Sequence, residues 1–347
     1  MMKKNIHYIN KKYMANNDTI FKSNPENIQF LKDIIDDLYP YGLVDEFITF
    51  KSINNIFYVI YSDKNKSIIS YDLVNYKKIV EIKRAHNERI TNFRYNFDSI
   101  NKRDLIISIS GDDNNIKLWN IFNWECLFNY KEINESGFLK SATFIIDNNQ
   151  LNIITTNYFY GSDISEFIKV FDLKGNKIKE LNNSNDNTNF VDVYYDINKI
   201  YIITGNRGYC KSFDYIENKI YHKYEDKDNE GHYKVIIKDE DRITKLIESC
   251  TDNNIRIWNF HSEELLNKIN CYNSFLGLYL WNNDYLFVCC YNKKLELLDL
   301  KNEKIIKSLD GHKDFVIDVK KIDIPILGEC LLSIDNKGLM KFWGNKN

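Results

Sequence analysis

The chain has 347 residues, of which 44% are hydrophobic, and its 47 basic and 49 acidic residues give a net charge of −2. No large block of lysine or arginine occurs, so electrostatic capture of nucleic acid or of an anionic membrane is not expected. Tyrosine and phenylalanine (24 and 21 residues) far outnumber tryptophan, while glycine and proline are few, which favours a folded, strand-rich chain over a collagenous or flexible one.

The cysteine pattern is that of a protein from a reducing compartment. There are 7 cysteines, with no Cys-x-x-Cys spacing, and most lie in apolar runs where a thiol behaves as a small hydrophobic group. We therefore expect no bound metal and no cofactor. No apolar run has the length of a signal sequence or of a membrane span, so we expect a cytoplasmic protein, with the nucleus as an alternative, and no membrane association.

Residues 1–41 differ from the rest of the chain and are predicted to form an N-terminal extension. From Asn24, which suits a helix cap, and Pro25, which suits the first helical position, apolar residues recur at helical spacing at positions 28, 31, 35 and 38 until Pro40. We therefore predict an amphipathic helix over about residues 25–38. It would cover part of the main body, with docking to a partner as the alternative.

From residue 42 to the end, short alternating or fully apolar runs replace the helical spacing. One aromatic or leucine position, which we call the slot position, recurs at intervals of 48, 52, 42, 45, 40 and 45 residues. Its residues are Tyr71, Trp119, Phe171, Phe213, Trp258, Leu298 and Trp343. Apolar runs and turns rich in Asp, Asn and Gly precede it, as in β-strands joined by tight turns. The spacing predicts seven four-stranded units.

The last repeat is the most complete one, because Gly311-His312 opens it and Trp343 closes it, with Gly344 where an Asp is usual. This pattern resembles that of the WD-repeat family of β-propellers. The resemblance implies an all-β fold, a seven-bladed propeller of four-stranded antiparallel blades over residues 42–347. Little chain follows Trp343, so we expect an N-terminal segment to complete the last blade and place it between residues 5 and 22.

The resemblance also implies a buried tetrad in each well-formed blade: an entrance His, a Ser or Thr in the second strand, an Asp in the next turn and the slot Trp. The matching sets are His86, Ser110, Asp113 and Trp119 in blade two, His232, Ser249, Asp252 and Trp258 in blade five, and His312, Ser333, Asp335 and Trp343 in blade seven. Such groups satisfy one another's hydrogen bonds, so their loss should cost stability. A hydrolase triad is the alternative, disfavoured because the groups would be buried away from a substrate.

The family's binding surface is the top rim of the central channel, where the residues just before each first strand lie. Matched onto this chain, the rim positions are Arg89, Phe190, Lys234, Phe275 and Phe315, with Asp112 and Thr251 beside the tetrad acids. Exposed phenylalanines flanked by Arg and Lys are typical of binding hot spots. Burial of each Phe in the core is the alternative.

No nucleophile elbow, phosphate loop or metalloprotease motif occurs, so the chain is not expected to be an enzyme. Polar groups gathered around the channel from several blades would be the exception. The resemblance implies a non-catalytic scaffold, a monomer within a larger complex, that binds a protein or peptide partner on its top face. The alternative is a substrate-recognition subunit of a ubiquitin ligase complex, although the Trp-Asp-x-Arg sequence of one receptor class is missing.

Overall fold

The structure is a computed structural model that describes residues 24–35, 47–131, 137–159, 167–182, 188–206, 208–227, 231–240, 243–271, 275–325 and 327–345. Apart from one 3-10 turn, Pro25–Asn27, the regular structure of these residues is β-strand. The strands form seven four-stranded antiparallel sheets. The prediction of an all-β, seven-bladed propeller with four-stranded blades is therefore confirmed.

The first four blades follow the chain in order, each with its first strand innermost and its fourth strand outermost. Blade one consists of β2 (Phe47–Lys51), β3 (Phe57–Ser62), β4 (Ile68–Asp72) and β5 (Lys77–Ile82). Blade two consists of β6 (Asn92–Asp98), β7 (Arg103–Ser110), β8 (Asn115–Asn120) and β9 (Glu125–Lys131). Blade three consists of β10 (Gly137–Asp147), β11 (Gln150–Phe159), β12 (Phe167–Phe171) and β13 (Lys177–Asn182). Blade four consists of β14 (Thr188–Tyr195), β15 (Ile200–Asn206), β16 (Tyr209–Asp214) and β17 (Lys219–Glu225).

The remaining three blades include the only one that is not continuous in sequence among the described strands. Blade five consists of β18 (His232–Glu240), β19 (Ile243–Cys250), β20 (Asn254–Asn259) and β21 (Leu265–Asn270). Blade six consists of β22 (Phe275–Leu280), β23 (Tyr285–Cys290), β24 (Leu295–Asp299) and β25 (Lys304–Leu309). Blade seven consists of β26 (Val316–Ile324), β27 (Gly328–Asp335), β28 (Met340–Gly344) and, as its outer strand, β1 (Gln29–Ile35).

The ring is closed by apolar packing between every pair of neighbouring blades. Seven buried apolar clusters occur among the described residues, and each one joins two successive blades. The cluster between the first and the last blade contains Phe47 and Val59 of blade one with Leu332 and Ile334 of blade seven. Because a single sheet cannot bury both of its faces, this stacking supplies the core that each repeat lacks on its own.

The slot residues occupy equivalent places, near the end of the third strand of each blade. In blades one to six the pairing of the third strand with the fourth is interrupted at this residue by a β-bulge or similar irregularity. The Asp or Asn that follows caps the next turn; Asp214 Oδ1, for example, accepts hydrogen bonds from the backbone N–H groups of Ile216 and Glu217 at 3.1 and 3.0 Å. Gly344 needs no such side chain, because the fourth strand of this blade is β1, which comes from the N-terminal segment.

The N-terminal segment completes blade seven as a strand, so the predicted helix over 25–38 is wrong. Residues of β1 pair antiparallel with β28, and Asp33 Oδ1 accepts a hydrogen bond from Lys341 Nζ at 2.6 Å. The predicted closing segment, residues 5–22, lies outside the described residues, and the outer place is taken by β1. Two register shifts in this pairing bring Leu31, Ile34 and Ile35 onto the apolar cluster, a spacing that imitates a helix.

A designed disulfide tests this closure. Asp33 and Lys341 are direct partners in the ladder, so the double variant Asp33→Cys, Lys341→Cys should form a cross-link under mild oxidation. Peptide mapping by mass spectrometry under non-reducing conditions would detect it. The double variant Asp33→Cys, Lys131→Cys, whose second site lies in blade two, is the control. Equal cross-linking in both, or none in the first, would contradict the pairing of β1 with β28.

Candidate functional site

The tetrad of blade seven is assembled with all four of its predicted members. His312 Nε2 lies 2.7 Å from Ser333 Oγ, and its Nδ1 lies 3.3 Å from Asp335 Oδ2. Trp343 Nε1 donates to Ser333 Oγ at 2.7 Å. Asp335 Oδ2 also accepts the backbone N–H of Lys313 at 2.9 Å. The network therefore ties the blade entrance, the second strand and the third strand to one another.

Blade two uses a different serine from the one predicted. Ser108 Oγ lies 2.7 Å from His86 Nε2 and accepts the Trp119 Nε1–H at 2.8 Å. Ser110 is buried, and its Oγ has no hydrogen-bond partner. Ser108 and Ser110 lie on the same face of the strand, so their register decides. Ser108 is paired with Lys117, two positions before the slot Trp, whereas Ser110 is paired with Asn115, four positions before it. Asp113 Oδ2 accepts the backbone N–H of Asn87 at 3.1 Å, so this acid holds the entrance turn.

Blade five replaces the tetrad serine with a carboxylate. The predicted Ser249 points elsewhere: its Oγ accepts the backbone N–H of Lys234 at 3.1 Å. Glu248, the preceding residue, takes the serine's place; its Oε1 accepts the Trp258 Nε1–H at 2.9 Å, and its Oε2 lies 2.8 Å from His232 Nδ1.

The predicted acid of blade five, Asp252, serves an arginine. Its two carboxylate oxygens accept hydrogen bonds from the guanidinium of Arg256 at 3.0 and 2.6 Å. Arg256 is fully buried and also donates to Asp226 Oδ2 at 2.8 Å. Sequence reasoning missed both Glu248 and Arg256. In the strand register, Glu248 occupies the position of Ser108 in blade two, and Arg256 occupies the position of Lys117.

Burial keeps two of the tetrad histidines, His86 and His312, neutral. Burial, with a further contribution from the Lys117 ammonium, lowers the pKa of His86 to about 3. Burial also lowers the pKa of His312, although the hydrogen bond to Asp335 acts in the opposite direction. Each imidazole is buried and engaged with a serine of its own blade. The hydrogen bonds of these histidines therefore form a network that stabilises the fold.

The predicted top-rim residues lie on the face of the ring that carries the turn between the second and third strand of each blade, which we call the top face. Arg89 and Asp112 are brought together as an ion pair, with 3.3 Å between Nη2 and Oδ2. Phe190 is half-buried, with its ring against Gly205, where an added Cβ would lie 1.9 Å from a ring carbon. Thr251 is held by a hydrogen bond from its N–H to Gly231 O at 3.0 Å. The side chain of Phe275 lies outside the described residues.

Phe315, the remaining aromatic rim residue, pairs with a tyrosine that sequence reasoning missed. The rings of Phe315 and Tyr291 lie 4.8 Å apart at an interplanar angle of 32°, and Tyr291 is 43% exposed. Tyr291 occupies the same place in the turn of blade six as Asp112 and Thr251 occupy in blades two and five. The turn of blade six has Asn292 where blades two and five have an acid, so matching on the acid did not identify Tyr291. The alignment of the slot residues could have identified it, because Asn292 is six positions before Leu298. We call Tyr291 and Phe315 the aromatic patch.

A cavity of about 400 Å³ lies in the wall of the central channel. Its lining comes mostly from the first strands of blades four to seven and includes Asp192, Lys234, Tyr279 and Lys320. Of the predicted rim residues whose side chains the structure describes, Lys234 is the one that lines it. The charges are mixed, and Lys320 Nζ pairs with Asp318 at 3.1 Å. The cavity therefore offers polar and aromatic contacts without a strong excess of either charge.

No protein-family model matches this chain, and no curated protein matches it. The seven-bladed fold is shown by the structure, and the relation to WD-repeat proteins is a resemblance in motifs. Within the described part of the chain, no helix has the length and apolar character needed to cross a bilayer.

The revised tetrad of blade two makes a prediction about two serines. Ser108→Ala would leave the buried His86 Nε2 and Trp119 Nε1 without their partner, so we expect the free energy of unfolding to fall by about 2 to 4 kcal/mol. Ser110→Ala removes a hydroxyl that has no partner and should change it by less than about 1 kcal/mol. Urea unfolding followed by tryptophan fluorescence measures both. A larger loss for Ser110→Ala would restore the original assignment.

The neutral state of His86 makes a prediction about pH. Its pKa is lowered in the folded state, so its contribution to stability is complete above about pH 6.5 and is lost as the pH falls from there towards 3. Between pH 7 and pH 5 the wild type should lose about 2 kcal/mol more than the variant His86→Gln, which cannot titrate. Unfolding measured at both pH values tests this. Parallel losses in the two proteins would show that His86 does not carry the dependence.

Proposed function

We propose that this chain is a non-catalytic scaffold that binds a protein or peptide partner on the top face of the propeller, as a monomer within a larger complex. The observation that carries the proposal is the aromatic patch. Tyr291 keeps 43% of its surface exposed while its ring packs on Phe315. Two rigid aromatic rings lose little conformational entropy on binding and present a large contact area, which is the chemistry of interface hot spots.

Charged side chains lie in the top-face turns that carry or adjoin the aromatic patch. Lys294 and Asp310 form an ion pair at 3.1 Å, and Lys337 lies 3.9 Å from Asp314. All four come from top-face turns of blades six and seven. An apolar centre with a polar rim is the usual arrangement of a protein interface, in which the rim excludes water and adds specificity. Both signs of charge occur, so the expected partner is not a strongly charged polymer.

The backbone holds Phe315 in place and leads from it towards the channel. The Phe315 carbonyl accepts the Asn336 N–H at 2.9 Å. The next strand, β26, carries Lys320, which lines the channel cavity. A bound segment with an apolar or aromatic anchor on the patch could thus continue across the channel mouth and meet polar groups there. We expect an extended peptide segment of this composition.

The alternative, a substrate-recognition subunit of a ubiquitin ligase, would use the same patch for its substrate. The two functions differ in what else binds. A ligase core should then co-purify through a surface other than the aromatic patch, whereas a scaffold has no such requirement.

Affinity purification with matched variants tests the proposal. The double variant Tyr291→Ala, Phe315→Ala should lose its partner, since truncation of hot-spot residues costs about 2 kcal/mol or more each, about 30-fold in affinity. The control is Ile197→Ala, Ile216→Ala, two exposed residues (83% and 59%) in turns of the opposite face. Thermal unfolding would show that both variants are folded. Equal recovery of partners by the wild type and the patch variant would refute the assignment of the binding face.

A further inference from the structure

We infer that Cys210, His232 and Glu248 form a binding site for a divalent transition metal ion, with zinc(II) as the first candidate, at the junction of blades four and five. One ligand atom from each residue lies within 4.8 Å of the other two, and all three residues are buried. His232 Nδ1 lies 3.3 Å from Cys210 Sγ and 2.8 Å from Glu248 Oε2. Thiolate, imidazole and carboxylate are the side chains that bind zinc in proteins.

The position of these residues in the repeat sets this junction apart. Three residues before the slot, every other blade has an apolar residue that faces the next blade; in blade four this residue is Cys210. Its equivalents in blades one and six, Ile68 and Leu295, pack in the clusters that contain Trp119 and Trp343. Glu248 is likewise the one carboxylate at the place of the tetrad serine. Two metal-ligand types thus replace ordinary residues at the two positions that face each other across a single junction, with His232 between them.

The surroundings of the Glu248 carboxylate favour a cation at this place. The residue is fully buried, and although its Oε1 accepts the Trp258 N–H, its Oε2 has no hydrogen-bond partner. Oε2 lies 2.8 Å from His232 Nδ1, which is an ion-pair distance. A buried carboxylate oxygen that accepts no hydrogen bond is costly. A cation held between Oε2, Nδ1 and Sγ would compensate it.

Charge and distance are compatible with zinc. A thiolate and a carboxylate carry two negative charges, which Zn²⁺ neutralises while the imidazole stays neutral. Metal–ligand bonds of about 2.0 to 2.3 Å in a tetrahedron place the ligand atoms about 3.3 to 3.7 Å apart. The distances from His232 Nδ1 to Cys210 Sγ (3.3 Å) and to Glu248 Oε2 (2.8 Å) are shorter than this by a few tenths of an ångström to about half an ångström. Small side-chain rotations would therefore open the site. Three protein ligands leave one place for a water molecule or a further side chain.

Such a site would be structural. It lies inside the junction, and it would join the third strand of blade four to the first two strands of blade five. Because the ligands come together only in the folded chain, metal binding would add to folding stability and would depend on pH through deprotonation of the thiol.

The first test is metal content. The full-length protein, produced in zinc-supplemented medium with a purification tag that contains no histidine, should retain about one zinc per chain after dialysis against metal-free buffer, as measured by elemental mass spectrometry. Protein refolded with Co²⁺ should show thiolate-to-metal charge-transfer absorption and the intense visible bands of a tetrahedral site. A wild-type protein without zinc, with no such spectrum and with a melting temperature unaffected by chelators, would overturn the proposal.

Matched variants locate the metal. Glu248→Ser rebuilds the network of blades two and seven, in which a serine serves both the His and the Trp, so it should fold and yet lose the zinc and the cobalt spectrum. Cys210→Ser should lose them too. Cys289→Ser, which alters another fully buried cysteine, should retain both. Unchanged zinc in Glu248→Ser and Cys210→Ser would place the metal elsewhere and exclude this site.

Discussion

The structure depends on apolar packing between the faces of neighbouring blades. Each blade is a narrow four-stranded sheet with no core of its own, and each of the seven junctions buries one apolar cluster among the described residues. Every buried Val, Leu, Ile or Phe contributes about 1.5 to 3 kcal/mol, so a junction outweighs any single hydrogen-bond network. A ring leaves no blade with an uncovered face. This explains why blade one must meet blade seven and why a strand from the N-terminal segment completes the last sheet.

The slot residue is part of this packing, which explains why several residue types are tolerated at the slot position. Slot residues pack towards the preceding blade: Trp119 lies in the cluster shared with blade one, Phe213 in that shared with blade three, and Leu298 in that shared with blade five. Any large apolar side chain can fill such a place. The indole is needed only where its N–H serves a serine or carboxylate. This is why a count of Trp slots at fixed spacing predicted the seven blades even though four of the slots contain Tyr, Phe or Leu.

The N-terminal segment shows where local pattern fails. Positions 28, 31 and 35 have helical spacing, yet residues 29–35 form an edge strand with two register shifts, and each shift changes which residues face the core. A strand with two bulges and one helical turn present similar apolar spacings. What decides between them is the unpaired edge of β28, which needs hydrogen-bond partners. That edge is more than 300 residues away in sequence, and no local signal announces it.

A site residue was predicted correctly when its role depends only on the sequence of its own blade. The slot Trp was found from the spacing of the repeat and the entrance His from the few histidines of the chain, 6 in all. The complete blade-seven tetrad follows from one repeat. The serine of blade two was misplaced by two residues because the lengths of the turns vary, so only strand register identifies Ser108. Cys210 lies outside the blade whose His it contacts, so no single repeat could reveal it.

Polar networks in this ring are additions to a core that does not require them. Blades three and four have Thr155 and Thr204 at the place of the tetrad serine, and neither hydroxyl has a hydrogen-bond partner among the described residues. These blades are nevertheless as complete as blade seven. Because packing alone maintains the repeat, the polar positions of a blade are free to change, although each buried polar atom left without a partner costs some stability. Blade five departs furthest from the other blades, because the buried carboxylate of Glu248 stands in the place of the tetrad hydroxyl. The Cys210 thiol of blade four faces this carboxylate across the junction.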